Sequence, residues 1–324
     1  MLRTRICELL EIEHPIVCAP MAGAAGGKLA AAVSEAGGLG LIGSGSGSTP
    51  EWLRDQIRIV RERTDRPFGV GFISSFPGLD DLVKVALEER VKAVSHSFAD
   101  PTAYVPAAHE AGIKVLAQVQ KVSHAKRVAL AGVDAITAQG SEAGGHTGHN
   151  GTLPMVPAVI DVAGDIPVIA AGGIADGRGL AAVLILGAEG AWIGTRFVAS
   201  AESARQDWEK DHVVLADMDG TVLTKAYDLT AGSAFPLDVG DRVLSNEFTK
   251  EWHGRDAEVV RNRVELQRRI EAGVQARDTS VVPMRAGNAV GLLSSIEPAG
   301  VILRRIVEEA EAILDKRPSE VLNR

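Results

Sequence analysis

The sequence predicts a closed (β/α)8 TIM barrel with a small, mostly helical second domain inserted near its C-terminal end. Apolar runs of strand length recur eight times within the first 195 residues, and helix-like segments lie between them. The 324 residues, 46% of them hydrophobic, are enough to bury a large core, and 35 glycines suit a fold with many tight turns. An open doubly wound sheet is the rival fold, and the regular spacing favours the barrel.

The predicted strands are apolar runs bounded by glycine, proline or polar residues. They cover residues 15–20, 38–43, 68–73, 93–98, 115–119, 135–140, 168–173 and 190–195. The predicted helices cover residues 29–36, 50–63, 79–89, 102–111, 123–131, 156–162 and 179–186. In such a barrel the C-terminal ends of the strands meet on one face, where active groups are expected.

The pattern changes after Phe197. Residues 201–276 mix charged helix-like stretches with irregular sequence, and residues 256–274 have the pattern of an arginine-rich helix. A last amphipathic helix after Ser295 is expected to close the barrel wall. We therefore expect a barrel formed by residues 1–205 and 280–324, with residues 206–279 as a helical insert over its mouth.

Charge and cysteine content argue against several classes of function. A formal net charge of −8 and a pI near 5.6 provide no basic surface for nucleic acid. The chain shows no secretory signal and no apolar run of membrane-spanning length, so a cytoplasmic protein is expected. Cys7 and Cys18 lack the spacing of a zinc site, and Cys18 is interpreted as a core residue. No metal is predicted, and a homodimer is the working expectation for the oligomeric state.

The stretch AQGSEAGGHTGHN after the sixth predicted strand opens a glycine-rich loop. Its His146 is suited to act as a general base, because an imidazole at the C-terminal end of a barrel strand titrates near neutral pH. Glu142 either orients His146 or only solvates the loop. His149 is interpreted as a surface residue, because two histidines alone do not make a metal site.

Two turns predict a phosphate-binding site. Ala171, Gly172 and Gly173 end the seventh strand, and Gly194 and Thr195 end the eighth. Loops after these two strands commonly bind phosphate, because backbone N–H groups converge there. A tight turn without a ligand is the less favoured interpretation of the glycines.

Other strand ends indicate what carries the phosphate. Ala19, Pro20 and Met21 end the first strand, and Gln118 projects from the fifth. A flat apolar surface with one amide suits an isoalloxazine ring better than a sugar phosphate. Met21 as an ordinary core residue remains an equal alternative.

Four motifs together resemble the nitronate monooxygenase family, formerly called 2-nitropropane dioxygenases. They are HPIVCAPMAG, AQGSEAGGHTG, PVIAAGGIADGRG and GAWIGTRF. The resemblance covers residues 1–200 and continues more weakly from LSNEFTKEWHGR to AGNAVGLL. It implies an FMN-dependent TIM barrel with a small helical second domain.

The resemblance also implies the roles of individual residues. His146 matches the family's active-site histidine, which takes a proton from a neutral nitroalkane or stabilises the anionic substrate. The implied cofactor-binding residues are Ala19, Pro20, Met21, Gln118, Gly144, Gly145, Ala171, Gly172, Gly173, Gly194 and Thr195.

Three positions stand apart from this pattern. Gly71 replaces an asparagine that touches the flavin in many relatives, so that contact is missing or moved. His96 stands where relatives are less polar; by alternation with Val94 it could point into the barrel top, and a hydrogen-bonded core histidine is favoured over a catalytic one. Asn288 aligns loosely with a polar residue that reaches the flavin in relatives.

Three functions follow from these observations. The leading one is FMN-dependent oxidation of alkyl nitronates or nitroalkanes by O2 to a carbonyl compound and nitrite. The second is NAD(P)H-dependent reduction of quinones or enoyl thioesters; since the sequence has no separate dinucleotide-binding motif, the nicotinamide would stack on the flavin directly. The third is a phosphate-binding barrel without redox activity.

Overall fold

The computed structural model describes residues 2–233 and 235–322, and within them eight parallel strands form a barrel. The barrel strands are β1 (Ile16–Cys18), β2 (Gly40–Gly43), β3 (Phe68–Ile73), β4 (Ala93–Ser97), β5 (Lys114–Val119), β6 (Ala135–Gln139), β8 (Val168–Ala171) and β9 (Gly190–Ile193). Three further strands, β7 (Gly145–Thr147), β10 (Thr221–Thr224) and β11 (Gly240–Leu244), form a separate sheet. The barrel order is β1-β9-β8-β6-β5-β4-β3-β2, and a parallel bridge between Val17 and Leu39 joins its ends. The predicted fold class is confirmed, and each predicted strand is present within two residues of its expected bounds.

Both faces of the barrel strands are buried, and the sequences of these strands are therefore continuous apolar runs. One set of side chains fills the interior; it includes Val17, Leu41, Ala93, Leu116, Ala135, Ile169 and Trp192. The alternating set, which includes Val70, Val94, Val115 and Ile136, packs outward against the helices. Cys18 belongs to this outer core, and burial raises the pKa of its thiol well above the usual range.

The helices are α1 (Arg5–Leu10), α2 (Gly27–Glu35), α3 (Pro50–Arg61), α4 (Leu79–Glu88), α5 (Val105–Glu110), α6 (Val122–Leu130), α7 (Thr152–Ala163), α8 (Gly177–Ile185), α9 (Thr195–Val198), α10 (Asp207–Leu215), α11 (Ala226–Ala231), α12 (Glu247–Trp252), α13 (Asp256–Ala276) and α14 (Ala299–Leu322). Local signals explain several starts: Thr49 caps α3 before Pro50, and Asp176 caps α8. As expected, α14 completes the wall by packing between α8 and α2. Of the described helices, none has the length and apolarity needed to cross a membrane.

The region after residue 206 is not helical throughout. Beside α10 to α13 it contains β10 and β11, which the sequence analysis did not predict. β11 pairs antiparallel with β10 and with β7, so a short strand lies where the glycine-rich stretch was expected to be loop only. This three-stranded sheet joins the insert to the segment that carries His146. The division of the chain at residues 206 and 279 stays a proposal.

Candidate active site

A cavity of about 360 Å³ opens at the C-terminal ends of the barrel strands, beneath the insert. It falls within the size range of small-molecule sites. The residues named from the sequence all line it: Ala19, Pro20, Met21, Gln118, Gly144, Gly145, His146, Ala171, Gly172, Gly173, Gly194 and Thr195. The structure thus brings the predicted site residues together, while their individual binding roles remain predictions.

The phosphate end of this cavity is built from backbone. Gly172 and Gly173 adopt φ values of +107° and +73°, which glycine alone adopts readily. Among the described residues, the amides of Gly173 and Thr195 have no hydrogen-bond acceptor. Thr195 Oγ1 accepts from the Gly287 amide at 3.0 Å, so its own proton is free to donate. Backbone amides and a hydroxyl are neutral hydrogen-bond donors, and a group of such donors suits a bound phosphate.

A neighbouring part of the cavity, beside Gly194, has an apolar surface that suits a flat ring. Met21 and Trp192 line it. Ser97 Oγ donates to Gln118 Oε1 at 3.4 Å, and the Gln118 amide nitrogen has no acceptor among the described residues. A Cβ placed on Gly71 would lie 2.2 Å from the Pro20 ring. Pro20 therefore occupies the space that a side chain at position 71 would need.

Gln139 also belongs to the site, although the sequence analysis did not name it. Its Nε2 donates to the His146 carbonyl at 3.2 Å, and its Oε1 accepts from Gln120 Nε2 at 2.9 Å. A signal was present in the sequence, because Gln139 alternates with the inward-facing Ala135 on β6. These bonds hold the backbone of β7 against the strand end.

His146 is positioned by the insert. On β7 its backbone pairs with β11, and its Nε2 lies 2.9 and 3.0 Å from the two carboxylate oxygens of Asp228 on α11. The Phe235 ring stacks on the imidazole, with centroids 3.3 Å apart. Nδ1 of His146 has no hydrogen-bond partner among the described residues. The sequence analysis missed Asp228, which lies 82 residues away and follows no local motif.

A second ion pair lies beside this one. Asp241, fully buried, stands opposite His146 in the β11–β7 pair and binds Arg285, with nitrogen–oxygen distances of 2.8 and 3.1 Å. The Asp241 carboxylate raises the pKa of Arg285 further above neutral. The Arg285 side chain is 38% exposed and lines the cavity, so a fixed positive charge lies at the same cavity as His146. Because Arg285 already neutralises Asp241, we assign no metal to the nearby His146, Asp228 and Asp241.

Glu142 and His149 do not assist His146. The Glu142 carboxylate accepts hydrogen bonds from the amide and hydroxyl of Thr152, at 2.9 to 3.0 Å, and so secures the start of α7. His149 is exposed and lies outside the cavity lining. Glu142 lines the cavity, but its carboxylate is bonded to Thr152, and the carboxylate that contacts His146 is that of Asp228.

Asn288 does not line the cavity either. Its Nδ2 donates to Thr221 Oγ1 at 3.1 Å, which places it at the junction between β10 and the chain before α14. Arg285 and Ala289, its neighbours in sequence, line the cavity instead.

His96 does not point into the barrel. It shares the outward face of β4 with Val94, whereas Ala93 and Ser97 face inward. Its ring stacks on Tyr104 with centroids 5.1 Å apart, and its Nδ1 lies 2.9 Å from Ser74 Oγ. Burial lowers the pKa of His96 to about 4, so the imidazole is neutral at pH 7. The core interpretation fits this geometry, and the predicted direction was wrong.

Comparison with known proteins shows which family this chain belongs to. A family model described as nitronate monooxygenase matches residues 3–81 and 74–309. A Staphylococcus aureus protein named "Probable nitronate monooxygenase" is 31% identical, over 96% of this chain and 98% of its own length. These matches confirm the resemblance carried by the four motifs.

Two further relatives have other names. The Mycobacterium tuberculosis protein "(3aS,4S,5R,7aS)-5-hydroxy-7a-methyl-1-oxo-octahydro-1H-indene-4-carboxyl-CoA dehydrogenase" is 42% identical over 229 residues, which cover 70% of this chain and 64% of that protein. The structure of FabK from Thermotoga maritima superposes with a TM-score of 0.89 and 40% identity, covering 99% of this chain and all of that one. Taken with the family model, these likenesses show that the chain belongs to the nitronate monooxygenase family, a group of flavin-dependent oxidoreductases.

Proposed function

We propose that this protein binds FMN and oxidises alkyl nitronates, and nitroalkanes after proton removal, to carbonyl compounds and nitrite with O2 as oxidant. The reaction balances when two nitronates and one O2 give two carbonyl compounds and two nitrite ions. The observation that carries the proposal is the His146–Asp228 pair at the wall of the cavity that would hold the flavin. A bound flavin supplies the electron-transfer chemistry.

The contact with Asp228 supports a choice between the two ring nitrogens of His146 as the proposed base. An ionised carboxylate only accepts hydrogen bonds, so the proton of a neutral imidazole belongs on Nε2, facing Asp228. Nδ1 then carries the lone pair and has no partner among the described residues. We propose that Nδ1 takes the proton from the carbon next to the nitro group.

Arg285 completes the arrangement. Removing that proton moves negative charge onto the nitro oxygens, and a fixed guanidinium in the same cavity stabilises charge that develops there. Asp241 engages Nε and Nη2 of Arg285, and Nη1 is left without a partner among the described residues. The proposed substrate pose therefore puts the acidic carbon at His146 and a nitro oxygen at Arg285.

The choice of FMN follows from the backbone donors. The amides of Gly173 and Thr195 and the Thr195 hydroxyl are donors that line the same cavity as the apolar Met21. FMN carries one phosphate, and we propose that it lies in this cavity with its ring on the Ala19–Met21 side.

Replacing His146 with alanine tests the proposal. Oxidation of a neutral nitroalkane should fall sharply, while oxidation of the preformed nitronate should be largely kept, because the nitronate needs no base. The control is His149→Ala, an exposed histidine three residues along the chain that lies outside the cavity. An equal loss on both substrates in His146→Ala would remove the base role.

A second function is favoured by the relatives. The Mycobacterium tuberculosis protein is named as a carboxyl-CoA dehydrogenase. A thioester, like a nitro group, acidifies the neighbouring carbon, so His146 and Arg285 would move a proton and stabilise an oxyanion in the same way during NAD(P)H-dependent reduction of an enoyl thioester. Rapid anaerobic reduction of the flavin by NADH or NADPH, followed by reoxidation with crotonyl-CoA, would support this function. The phosphate-binding barrel without redox activity is not retained, since the family consists of oxidoreductases.

A further inference from the structure

A second cavity, of about 140 Å³, lies beside the active-site cavity. Phe98 and Gln118 line both, and Phe98 is the bulky side chain between them. We propose that Phe98 is a partition that limits the length of the alkyl chain accepted by the active site, and that the second cavity is the place where a longer chain would lie. This inference rests on the proposed function in one respect, that the substrate carries an alkyl group on its acidic carbon.

The backbone of Phe98 is unusual. Phe98 follows β4 directly and has a φ of +67°, in the left-handed region that glycine adopts freely and bulky residues avoid. Such strain concentrates at functional sites, where surrounding contacts hold the residue in place. In this conformation Phe98 lines both cavities.

The contacts of the ring place it next to the proposed base. Phe98 meets His146 edge-on, with centroids 6.1 Å apart, and meets Phe235 edge-on at 5.2 Å. Phe235 in turn covers one face of His146. An alkyl group on a carbon that reaches His146 therefore extends toward an aromatic wall, and Phe98 is the part of that wall with a second cavity behind it.

The second cavity suits an alkyl chain. Its inner wall includes Val119, Val128 and Val239, all buried, together with the buried Gln120, whose side-chain amide is already bonded to Gln139. Asp100 and Arg127 are exposed, and the half-buried Asp238 is paired with Lys121; these charged residues mark the side of the cavity that faces solvent. Each methylene that leaves water for such a wall should strengthen binding about fourfold.

The test uses the holoenzyme and linear alkyl carboxylates from propionate to octanoate, which are unreactive anions with the planar head of a nitronate. Binding is followed by the change in the visible absorbance of the flavin. For the wild-type protein we expect affinity to stop rising after a short chain. For Phe98→Gly we expect it to keep rising about fourfold per methylene through the longer chains. Glycine suits the left-handed backbone, so this variant should fold; Phe98→Leu is the second variant and should show a smaller extension.

A matched variant fills the second cavity from its other side. Ala99 is exposed and lines only that cavity, so Ala99→Phe alone should leave short-chain binding unchanged. Added to Phe98→Gly, it should restore the wild-type length limit. The proposal would be overturned if affinity depended on alkyl-chain length in the same way for wild type and Phe98→Gly. It would also be overturned if Phe98→Gly bound none of the carboxylates measurably. Because carboxylate binding requires no turnover, a wild-type protein that oxidises no nitronate would sink the proposed function while the length profile still decides the role of Phe98.

Discussion

Substitution of Asp228 by asparagine is predicted to slow proton removal from neutral nitroalkanes by one to two orders of magnitude. The carboxylate lies 2.9 and 3.0 Å from His146 Nε2, and a hydrogen bond to a charged group contributes about 1.5–3 kcal/mol. If that contribution is made in the transition state, its loss lowers kcat/KM about 10- to 150-fold. Asparagine can also donate to Nε2, which moves the ring proton onto Nδ1, the atom proposed as the base.

The assay compares O2 consumption with nitroethane and with preformed ethyl nitronate. The nitronate rate should change far less, because that substrate has already lost its proton. Asp238→Asn is the matched control: Asp238 is an acid of the same insert, pairs with Lys121 and does not line the active-site cavity. The reasoning is refuted if Asp228→Asn slows both substrates equally or leaves the nitroethane rate unchanged.

Two further predictions concern the scaffold of the site. Gly71→Ala places a methyl group 2.2 Å from the Pro20 ring, so it should lower the free energy of unfolding by about 1–3 kcal/mol and weaken flavin retention. Gly151→Ala is the control and should change neither property, because no atom lies nearer than 3.5 Å to its new methyl group. Equal flavin loss from both variants would contradict the argument. The second concerns the buried, neutral His96, whose pKa is about 4 in the folded protein and near 6.5 when unfolded. Between these values the unfolded chain binds the proton that the folded chain does not, so stability should fall by about 3 kcal/mol as pH falls from 6.5 to 4. His96→Asn should lessen this dependence in urea titrations at the two pH values, and an unchanged dependence would rule out His96 as its source.

The barrel and the cavity-lining positions were accessible to sequence reasoning for a physical reason. Parallel strands buried on both faces must be short apolar runs, and the strand end at Gly172 must be glycine because its φ is +107° and a Cβ there would lie 2.7 Å from Thr152 Oγ1. The same double burial explains the error over His96. When both faces of β4 are buried, alternation with Val94 does not tell which face is the interior; here the small Ala93 and Ser97 face inward.

Asp228, Asp241 and Arg285 could not be predicted in the same way. They reach His146 through the pairing of β7 with β11 and through α11, contacts that join segments about 80 to 140 residues apart. β7 has only three residues in a glycine-rich stretch and shows no strand pattern of its own. Such long-range pairing leaves no local periodicity in the sequence, so the partner of His146 emerged only from the fold.

The central claim is that nitronate reduces the flavin of this protein at the site of His146. The direct measurement is anaerobic: the purified yellow protein is mixed separately with ethyl nitronate, NADH and NADPH, and the visible absorbance of the flavin is followed. The account predicts bleaching by the nitronate without any nicotinamide. Bleaching by NADH or NADPH alone, with no response to nitronate, would contradict it and make the protein a reductase that acts on a thioester or another acceptor.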